Sequence, residues 1–209
     1  MQNPPYSTVM QGMTKITPSA AKTSLTGKIL LAMPTMGDPR FHRAVILMCA
    51  HDENGAMGLV INHVLPGIDL PQLLEQLNIH PEPGKPGKIP DIPVMSGGPV
   101  ENARGFILHT RDFQQKDTVS VNDQIAVTGT IDALRAVAMG EGPERMIFVL
   151  GYAGWTEGQL DMEIQQNTWL VADADPELIF AVSAEEKWNY AIKKMGIDLA
   201  MLSGEAGRA

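Results

Sequence analysis

The stretch "AVILMCAHDENGAMGLVIN", residues 44–62, carries the strongest local structural signal in the chain. Two apolar runs flank "HDENG", in which Asn54 and Gly55 can adopt the positive φ angles that a hairpin turn requires. The first run is apolar at every position from Ala44 to Ala50, which is typical of a strand with both faces covered. The stretch therefore predicts a β-hairpin whose first strand lies in the middle of a sheet.

Segments on either side of this hairpin show strand and helix patterns without regular alternation. The strand patterns are "TGKILLAMP", "RGFILHT", "DQIAVTG", "RMIFVLGYA" and "TWLVADA". The helix patterns are "DLPQLLEQL", "TIDALRAVAMG", "DPELIF" and "SAEEKWNYAIKKMG", whereas "TMGDPRF" and residues 81–93 are expected to be loops. This order favours an α+β fold over a doubly wound α/β fold.

Capping residues predict where helices begin. The expected N-caps are Asp69, Thr130, Thr156 and Ser183, and the last two are expected to form capping boxes with Gln159 and Glu186. In such a box both side chains accept hydrogen bonds from backbone N–H groups, so two free donors of the first helical turn are satisfied.

The composition limits the class of partner. The chain has 209 residues, of which 44% are hydrophobic and 19% charged, as expected for one folded domain. Its formal net charge of −8 repels nucleic acid and anionic membranes unless basic residues gather locally. Lysines do gather near residues 187–194, but Glu185 and Glu186 lie beside them, which indicates a solvated helix face. Direct nucleic-acid binding is therefore disfavoured.

Cysteine content and hydropathy indicate a cytoplasmic location. Cys49 is the only cysteine and lies in an apolar run, so it predicts a buried thiol in a reducing compartment. No stretch reaches the roughly 18 apolar residues of a membrane-spanning helix, and no apolar core of a secretory signal is present. The sequence thus predicts a protein that is neither exported nor embedded in a membrane.

Two glycine-rich motifs invite a catalytic or phosphate-binding interpretation. "GYAGWTEGQLDMEI", residues 151–164, has a strand, a glycine-rich turn and a helix, as nucleophile elbows and phosphate loops do. It lacks both the nucleophile and the Lys-Ser/Thr pair, so it predicts a tight packing corner beside Trp155, with a ligand wall as the alternative. "SGGPVE", residues 96–101, is expected to be a tight turn, with an anion-binding backbone nest as the alternative.

The histidines do not predict a metal site. In the expected hairpin His51 and His63 lie roughly 23 Å apart at strand rise, too far to share an ion. His109 with Asp112, or His42 with Asp38, could pair within a loop, but hydrogen-bonded structural histidines are favoured. No CxxC, HExxH or carboxylate-rich loop occurs, so the sequence indicates neither a metal nor a cofactor.

Four motifs in this order resemble the YqgE/AlgH family of bacterial proteins of unknown function: "GKILLAMPTMGDPRF", "HDENGAMGLVIN", "VMSGGPVENARGFILH" and "LGYAGWTEGQLDMEIQQNTWL". The resemblance covers Leu25 to Ser203. We therefore expect one domain over 25–203, between a flexible N-terminal segment, 1–24, and a C-terminal tail, 204–209. In the tail, Arg208 stands where the family's usual ending has a histidine.

The resemblance implies both a fold and a role. It implies an α+β fold in which a bent mixed sheet forms a partly barrel-like core with helices packed outside. It also implies a regulatory role, because the AlgH name comes from transcriptional control of alginate production, and no reaction or cofactor is established for the family. Since the charge disfavours contact with DNA, regulation through a protein partner is expected. The sequence gives no signal for an oligomeric state.

Matched residues of polar character, together with the tryptophan of the corner, form the candidate surface or cleft: Asn62, His109, Trp155, Gln159 and Glu163. The favoured hypothesis is a non-enzymatic interaction module in which some of them converge near the "GYAGW" corner. The alternative is a hydrolase-like enzyme in which His109 or His51 works with Glu163 as acid and base. No set of catalytic residues is evident from the sequence.

Overall fold

The structure is a computed structural model that describes residues 24–81 and 89–198. Its strands are β1 (Lys28–Ala32), β2 (Val45–Asp52), β3 (Gly55–Val60), β4 (Val64–Asp69), β5 (Pro93–Ser96), β6 (Val100–Thr110), β7 (Val119–Ser120), β8 (Ile125–Thr128), β9 (Met146–Thr156) and β10 (Trp169–Asp173). Its α-helices are α1 (Leu70–Gln76), α2 (Ile131–Ala138), α3 (Gln159–Gln165), α4 (Pro176–Phe180) and α5 (Lys187–Lys194). Of the predicted flexible segment 1–24 only Ser24 lies among the described residues, and the predicted tail lies outside them.

The strands form one curled sheet in the order β10-β1-β2-β3-β9-β6-β8-β7. Nearly all neighbouring strands are antiparallel, while β5 pairs parallel with β9 and antiparallel with β4. The prediction of an α+β fold with a bent, mixed, partly barrel-like sheet and helices outside is confirmed. Within the described part of the chain, every helix is too short or too polar to cross a membrane.

Strand β9 is the hub of this sheet, because it changes partner along its length. One edge pairs with β6, and the other pairs first with β5, through Phe148–Leu150, and then with β3, through Ala153–Thr156. The "GYAGW" segment is therefore strand and not the turn that the sequence predicted, because pairing with β3 keeps it extended. The positive φ of 76° at Gly151 marks the point where β9 passes from β5 to β3.

The predicted hairpin is confirmed, but its turn differs in detail. Asp52 pairs with Gly55, so the turn residues are Glu53 and Asn54, and Asn54 does not have a positive φ. The Asp52 carboxylate accepts the backbone N–H of Asn54 at 2.8 Å, which stabilises the turn without a left-handed residue at that position. Gly55 has φ 141°, and its backbone lies against Trp155 of β9.

Strand β2 is buried on both faces, as predicted. Leu47 and Cys49 belong to the core beneath α4 and α5, whereas Ile46 and Met48 belong to the core that also contains residues of β9 and α3. A third apolar cluster joins α1 and α2 to the other end of the sheet. Because consecutive strand residues point to opposite faces, an uninterrupted apolar run can fill two of these clusters at once.

Two of the predicted N-caps are confirmed and two are wrong. Asp69 caps α1 in a capping box with Gln72, and Thr130 caps α2. Helix α3 instead begins after Gly158, since strand pairing of Thr156 with Gly55 keeps Thr156 in β9. Helix α5 begins after Glu186 without a side-chain cap, and Ser183 lies in the turn before it, where its carbonyl accepts the N–H groups of Glu186 and Lys187.

The two segments expected to be loops need one correction. In "TMGDPRF" a 3₁₀ turn spans Pro39–Phe41, and Asp38 caps it by accepting the backbone N–H of Arg40. The proline in the first position of this turn presets its φ angle, so a short helical turn forms inside the loop. Of the other loop, 81–93, residues 82–88 lie outside the described part of the chain, and β5 begins at Pro93.

Candidate functional site

A cluster of two indoles, a carboxylate and an amide joins the end of β9 to α3 and the start of β10. We call Trp155, Gln159, Glu163 and Trp169 the indole–carboxylate cluster. One oxygen of Glu163 accepts the indole N–H groups of Trp155 at 2.9 Å and of Trp169 at 2.7 Å. The other oxygen accepts the side-chain amide of Gln159 at 2.9 Å. Three donors from three elements thus meet on one carboxylate.

Helix geometry and aromatic packing explain this arrangement. Gln159 and Glu163 lie four residues apart on α3 and therefore share one helix face. The rings of Trp155 and Trp169 meet edge-to-face, with centroids 6.0 Å apart, and Phe41 packs edge-on against Trp169 at 5.7 Å. Both indoles are buried, so their N–H groups need partners inside the protein.

The polar atoms of the cluster are engaged with one another. The amide oxygen of Gln159 accepts the backbone N–H and the hydroxyl of Thr156 at 3.1 and 3.2 Å. Of the predicted capping box, therefore, the bond to the Gln159 side chain forms, but the Thr156 side chain does not cap the helix. A carboxylate that already holds three donors is poorly placed to move protons for a substrate. The arrangement fixes β9, α3 and β10 relative to one another.

The glycines beside this cluster allow close backbone approach, as the packing interpretation predicted. The "SGGP" segment crosses β9 where β9 changes partner, and a Cβ at Gly98 would overlap the backbone of Tyr152 and Ala153. A Cβ at Gly151 would lie 2.7 Å from the carbonyl oxygen of Gly98. Gly97 bridges two strands, because its N–H donates to Leu150 and its carbonyl accepts from Val60. Chain crossing thus explains Gly97, Gly98 and Gly151, whereas a Cβ at Gly154 would make only ordinary contacts and one at Gly158, which has φ 67°, would meet open space.

His109 lies at the opposite end of β9. It pairs with Met146, nine residues before Trp155, which corresponds to at most about 30 Å along an extended strand. Its Nδ1 lies 2.7 Å from the carbonyl oxygen of Thr110, which can only accept, so Nδ1 carries the proton. Its Nε2 therefore accepts the hydroxyl of Thr128 at 2.9 Å. Burial lowers the pKa of His109, which keeps the ring neutral.

Asn62 and His51 also bond to other parts of the backbone. The side chain of Asn62 accepts the N–H of Val45 at 2.7 Å and donates to the carbonyl of Arg43 at 2.9 Å, which ties the end of β3 to the start of β2. Nδ1 of His51 accepts the backbone N–H of Leu25. The structure therefore brings together Trp155, Gln159 and Glu163, and it does not bring Asn62 or His109 to them.

The hydrolase alternative required a histidine hydrogen-bonded to Glu163. Within the described ranges both histidines that it named have other partners, and so does the carboxylate. Asp112 and Asp38, the proposed loop partners of His109 and His42, instead bond to Thr110 and to Arg40. In residues 24–81 and 89–198 no three His, Cys, Asp or Glu side chains lie close enough together to hold a metal ion.

Two further titratable groups are buried. Burial raises the pKa of the Cys49 thiol to about 12, so the thiolate that would act as a nucleophile is scarce at neutral pH. Burial also lowers the pKa of Lys187 to about 8, against the opposing charge of Glu185. The ammonium group of Lys187 donates to the carbonyl of Val182, next to the start of its helix. The hydrogen bonds of both side chains go to residues outside the indole–carboxylate cluster.

An open groove of about 470 Å³ runs beside β10, which we call the β10 groove. Three consecutive residues, Val171–Asp173, line it together with Leu178 of α4, Ala191 of α5 and Met195, which follows α5. Lys28 of β1, which pairs with Asp173, also lines the groove, so the groove lies where the end of β10 meets β1, α4 and α5. The Lys28–Asp173 and Lys194–Asp175 ion pairs stand at its rim.

Sequence reasoning missed two residues of interest. Trp169 was assigned only to a strand, and no local pattern indicates that it shares a carboxylate with Trp155. Arg104 is 5% exposed, and its Nε and Nη2 have no hydrogen-bond partner among the described residues. A signal for its burial exists in "RGFILH", where Arg104 shares the core-facing side of β6 with Phe106 and Leu108.

Comparison with known proteins gives one consistent family. A family model described as AlgH-like matches residues 29–200. A UPF0301 protein of Bradyrhizobium sp. strain BTAi1 is 52% identical over 190 residues, which cover 88% of both chains. A UPF0301 protein of Rhodospirillum rubrum is 50% identical over 185 residues, covering 88% of this chain and 94% of the relative.

Solved structures agree with this assignment. The solution structure of the AlgH protein from Pseudomonas aeruginosa matches with a TM-score of 0.70 and 38% identity, covering 92% of this chain and all of that one. A crystal structure from Corynebacterium diphtheriae, at 19% identity and a TM-score of 0.68, shares the fold. The sequence motifs, the curled sheet and these matches together show that the chain belongs to the AlgH-like UPF0301 family.

Proposed function

We propose that this protein is a non-enzymatic, cytoplasmic interaction module of one domain that binds an extended segment of a protein partner along the outer edge of β10. The observation that carries the proposal is the β10 groove, an open, largely apolar channel beside an end strand of the sheet. Exposed strand edges accept a further strand through backbone hydrogen bonds, while flanking pockets select its side chains.

The register of β10 supports this mode of binding. In an antiparallel pair, every second residue directs its backbone N–H and C=O toward the neighbouring strand. The N–H of Met33 donates to the carbonyl of Thr168, so Thr168 is one of the residues on β10's side whose backbone faces β1, and every second residue after it does the same. Leu170 and Ala172 therefore direct their backbone groups toward β1, and Val171 directs its N–H and C=O outward. Within the described residues β10 pairs with β1 alone, so this outer edge offers donors and acceptors to an added strand.

Side chains around the groove suit a peptide with an apolar residue between polar ones. Leu178 and Ala191 are buried at its base, and Met195 is 37% exposed. The two ion pairs at the rim present both positive and negative charge. Such exposed charges would set the register of a bound strand and add little to its affinity.

We propose that any effect on transcription is exerted through that partner. The support is the formal charge of −8 and the pairing of basic residues with carboxylates, as in Arg40–Asp38, Arg104–Glu101 and Arg135–Asp132. A cytoplasmic location is supported by the single buried cysteine, which needs no oxidising compartment. A mobility shift of duplex DNA by this protein at 150 mM salt, on the order of physiological strength, would contradict the indirect route.

A peptide-display selection tests the edge-strand proposal. Val171→Pro removes an outward N–H without removing a bond to β1, and Ser120→Pro does the same on β7 at the other end of the sheet. We expect a random displayed library to yield peptides that bind the wild type and Ser120→Pro equally, and Val171→Pro at least tenfold more weakly. A library that yields no binder, or binders indifferent to Val171→Pro, would refute the proposed mode.

A further inference from the structure

Arg104 is a buried charge with unsatisfied donors. Its side chain is 6% exposed, and Nη1 donates to the carboxylate of Glu101 at 3.1 Å. Nε and Nη2 are shielded from solvent and have no partner among the described residues. Buried polar groups in proteins are nearly always hydrogen-bonded, and an arginine cannot remove its charge by losing a proton. Within residues 24–81 and 89–198 these two nitrogens therefore lack acceptors.

The two unpartnered nitrogens define the shape of the missing acceptor. Nε–H and one N–H of Nη2 lie on the same edge of the planar guanidinium and point in parallel, while Glu101 uses the other side. This edge matches the two oxygens of a carboxylate, which accept both bonds at once. The ring of Phe106 lies 5.0 Å from Cζ of Arg104 and holds the guanidinium plane in place.

The surroundings of Arg104 are irregular and partly open. Pairing between β6 and β9 is interrupted between Val100 and Gly105, and Glu101 in this interval has φ 47°. Tyr152 packs edge-on against Phe106 at 6.2 Å and is partly buried, while the side chain of Glu101 is 40% exposed. Of the three side chains that border Arg104, Glu101 and Tyr152 reach solvent and Phe106 is buried.

We propose that Arg104 binds the carboxylate of a small monoanionic ligand through Nε and Nη2, in a site bordered by Glu101, Phe106 and Tyr152. Glu101 sets the charge of the ligand, because one negative charge already lies on the same guanidinium. A dianionic phosphate meets stronger repulsion from Glu101, and a neutral carbonyl forms weaker bonds than a carboxylate does. The site shares no residue with the β10 groove, so it stands independently of the proposed function.

Titration of the full chain, labelled with ¹⁵N, with sodium acetate at constant pH and ionic strength tests this site. The resonance of the Arg104 Nε–H group reports directly on the atom that would bind. We expect a saturable shift of that resonance with a Kd on the order of millimolar, which is what four non-hydrogen atoms can supply. Acetamide and inorganic phosphate, titrated in parallel, should each shift it at least tenfold less effectively.

Three variants make the result specific. Arg104→Lys keeps the charge but loses the paired donors, and should weaken acetate binding at least tenfold, followed by backbone resonances of Tyr152 and Phe106. Arg135→Lys alters an exposed arginine with a comparable ion pair to Asp132 and should change nothing. Glu101→Gln keeps Arg104 intact and removes the competing charge, so acetate should bind about threefold to tenfold more tightly and phosphate binding should become measurable.

Each outcome bears on the proposal. If Arg104→Lys does not fold, the comparison of wild type with Glu101→Gln still decides, because that variant retains the guanidinium. The proposal is overturned if 100 mM acetate, roughly a hundred times the expected Kd, leaves the Arg104 resonance unmoved. It is also overturned if acetamide matches acetate, or if Glu101→Gln fails to tighten acetate binding.

Discussion

The indole–carboxylate cluster holds a half-buried carboxylate and the Arg104 site a buried guanidinium, and the two charged groups differ in how many hydrogen bonds they make. Glu163 accepts three hydrogen bonds from Trp155, Trp169 and Gln159. Arg104 makes one bond, to Glu101, and keeps two buried nitrogens without a partner among the described residues. The first site is saturated by groups of this chain, and the second has donors left for another molecule.

The two sites therefore differ in what their charged group contributes: the first stabilises the fold, and the second keeps hydrogen-bond donors available for a ligand. A charge that accepts several hydrogen bonds holds its neighbours in one geometry, and removing it leaves several donors unpaired. An unsaturated one lowers stability, and natural proteins retain such costs mainly at functional positions. In "GYAGWTEGQL" Gly151 and Trp155 therefore serve tight packing, whereas a plain arginine in a strand is the better candidate for ligand recognition.

The largest expected effect concerns the close crossing of the "SGGP" segment over β9. Gly98→Ala should prevent folding or lower the free energy of unfolding by about 4 kcal/mol, because its Cβ would overlap the backbone of Tyr152 and Ala153. Gly67→Ala is the matched control, since Gly67 also has a positive φ, 81°, but has open space around its Cβ. That control should cost about 1–2 kcal/mol from backbone strain alone. Urea denaturation gives both values, and equal costs would show that the crossing is not tight.

Removal of the central carboxylate should have the next largest effect. Glu163→Ala leaves two buried indole N–H groups and the Gln159 amide without their acceptor, so it should lower the free energy of unfolding by about 3 kcal/mol. Glu157→Ala, an exposed glutamate just before α3, should change it by less than about 0.5 kcal/mol. Tryptophan fluorescence should also change only in the first variant. A loss below about 1 kcal/mol for Glu163→Ala would mean that saturation contributes little here.

The pH dependence of stability should report the buried His109. Its pKa is lowered chiefly by burial, so the unfolded chain binds a proton at a higher pH than the folded protein does. Stability should therefore be complete above about pH 6.5, the ordinary pKa of histidine, and fall as the pH drops below it. His63 shifts in the same direction for the same cause and adds to the effect.

Urea midpoints at pH 7.5 and 5.0 measure this loss in the wild type and in His109→Gln. The variant should lose less stability between the two pH values, because one of the two histidines no longer titrates. Carboxylates with lowered pKa, such as Asp112 and Asp173, lose their contribution only at lower pH, below about 4. An unchanged difference between the two midpoints in His109→Gln would assign the pH dependence elsewhere.

The smallest expected effect on stability belongs to the unsaturated site. Arg104→Met removes the unpaired donors and keeps the side-chain volume, and Glu101, at 40% exposed, can be hydrated in its absence. The free energy of unfolding should change by less than about 1 kcal/mol, or rise, whereas acetate binding should be lost. A loss of about 3 kcal/mol would place Arg104 in the same structural class as Glu163.

Local pattern predicted much of the architecture. The hairpin, the strand buried on both faces, and the N-caps Asp69 and Thr130 all follow from residues that lie within a few positions of one another. Where a local signal competed with strand pairing, pairing won: Thr156 is a good helix cap, yet its register with Gly55 keeps it in β9. The turn at Asn54 differed because the Asp52 side chain supplied a local alternative.

The candidate residues show the same division. Gln159 and Glu163 were expected near the corner because helical spacing places them on one face. Trp169 joins them because both β9 and β10 contact α3, and His109 is distant because the end of β6 pairs with the start of β9. Any functional role of Asn62, His109, Trp155, Gln159 and Glu163 stays a prediction.

Periodicity and turn chemistry act over five to fifteen residues, so from the chain alone one obtains strands, helices, the buried hairpin and the likeness to AlgH-like proteins. Which polar group finds a partner is a different kind of property, because hydrogen bonds join residues far apart in sequence. Two indoles meet on Glu163, and the outer edge of the Arg104 guanidinium has no partner among the described residues. Both arrangements arise only in the tertiary structure, in which β9 pairs first with β5 and then with β3 and so brings distant segments together.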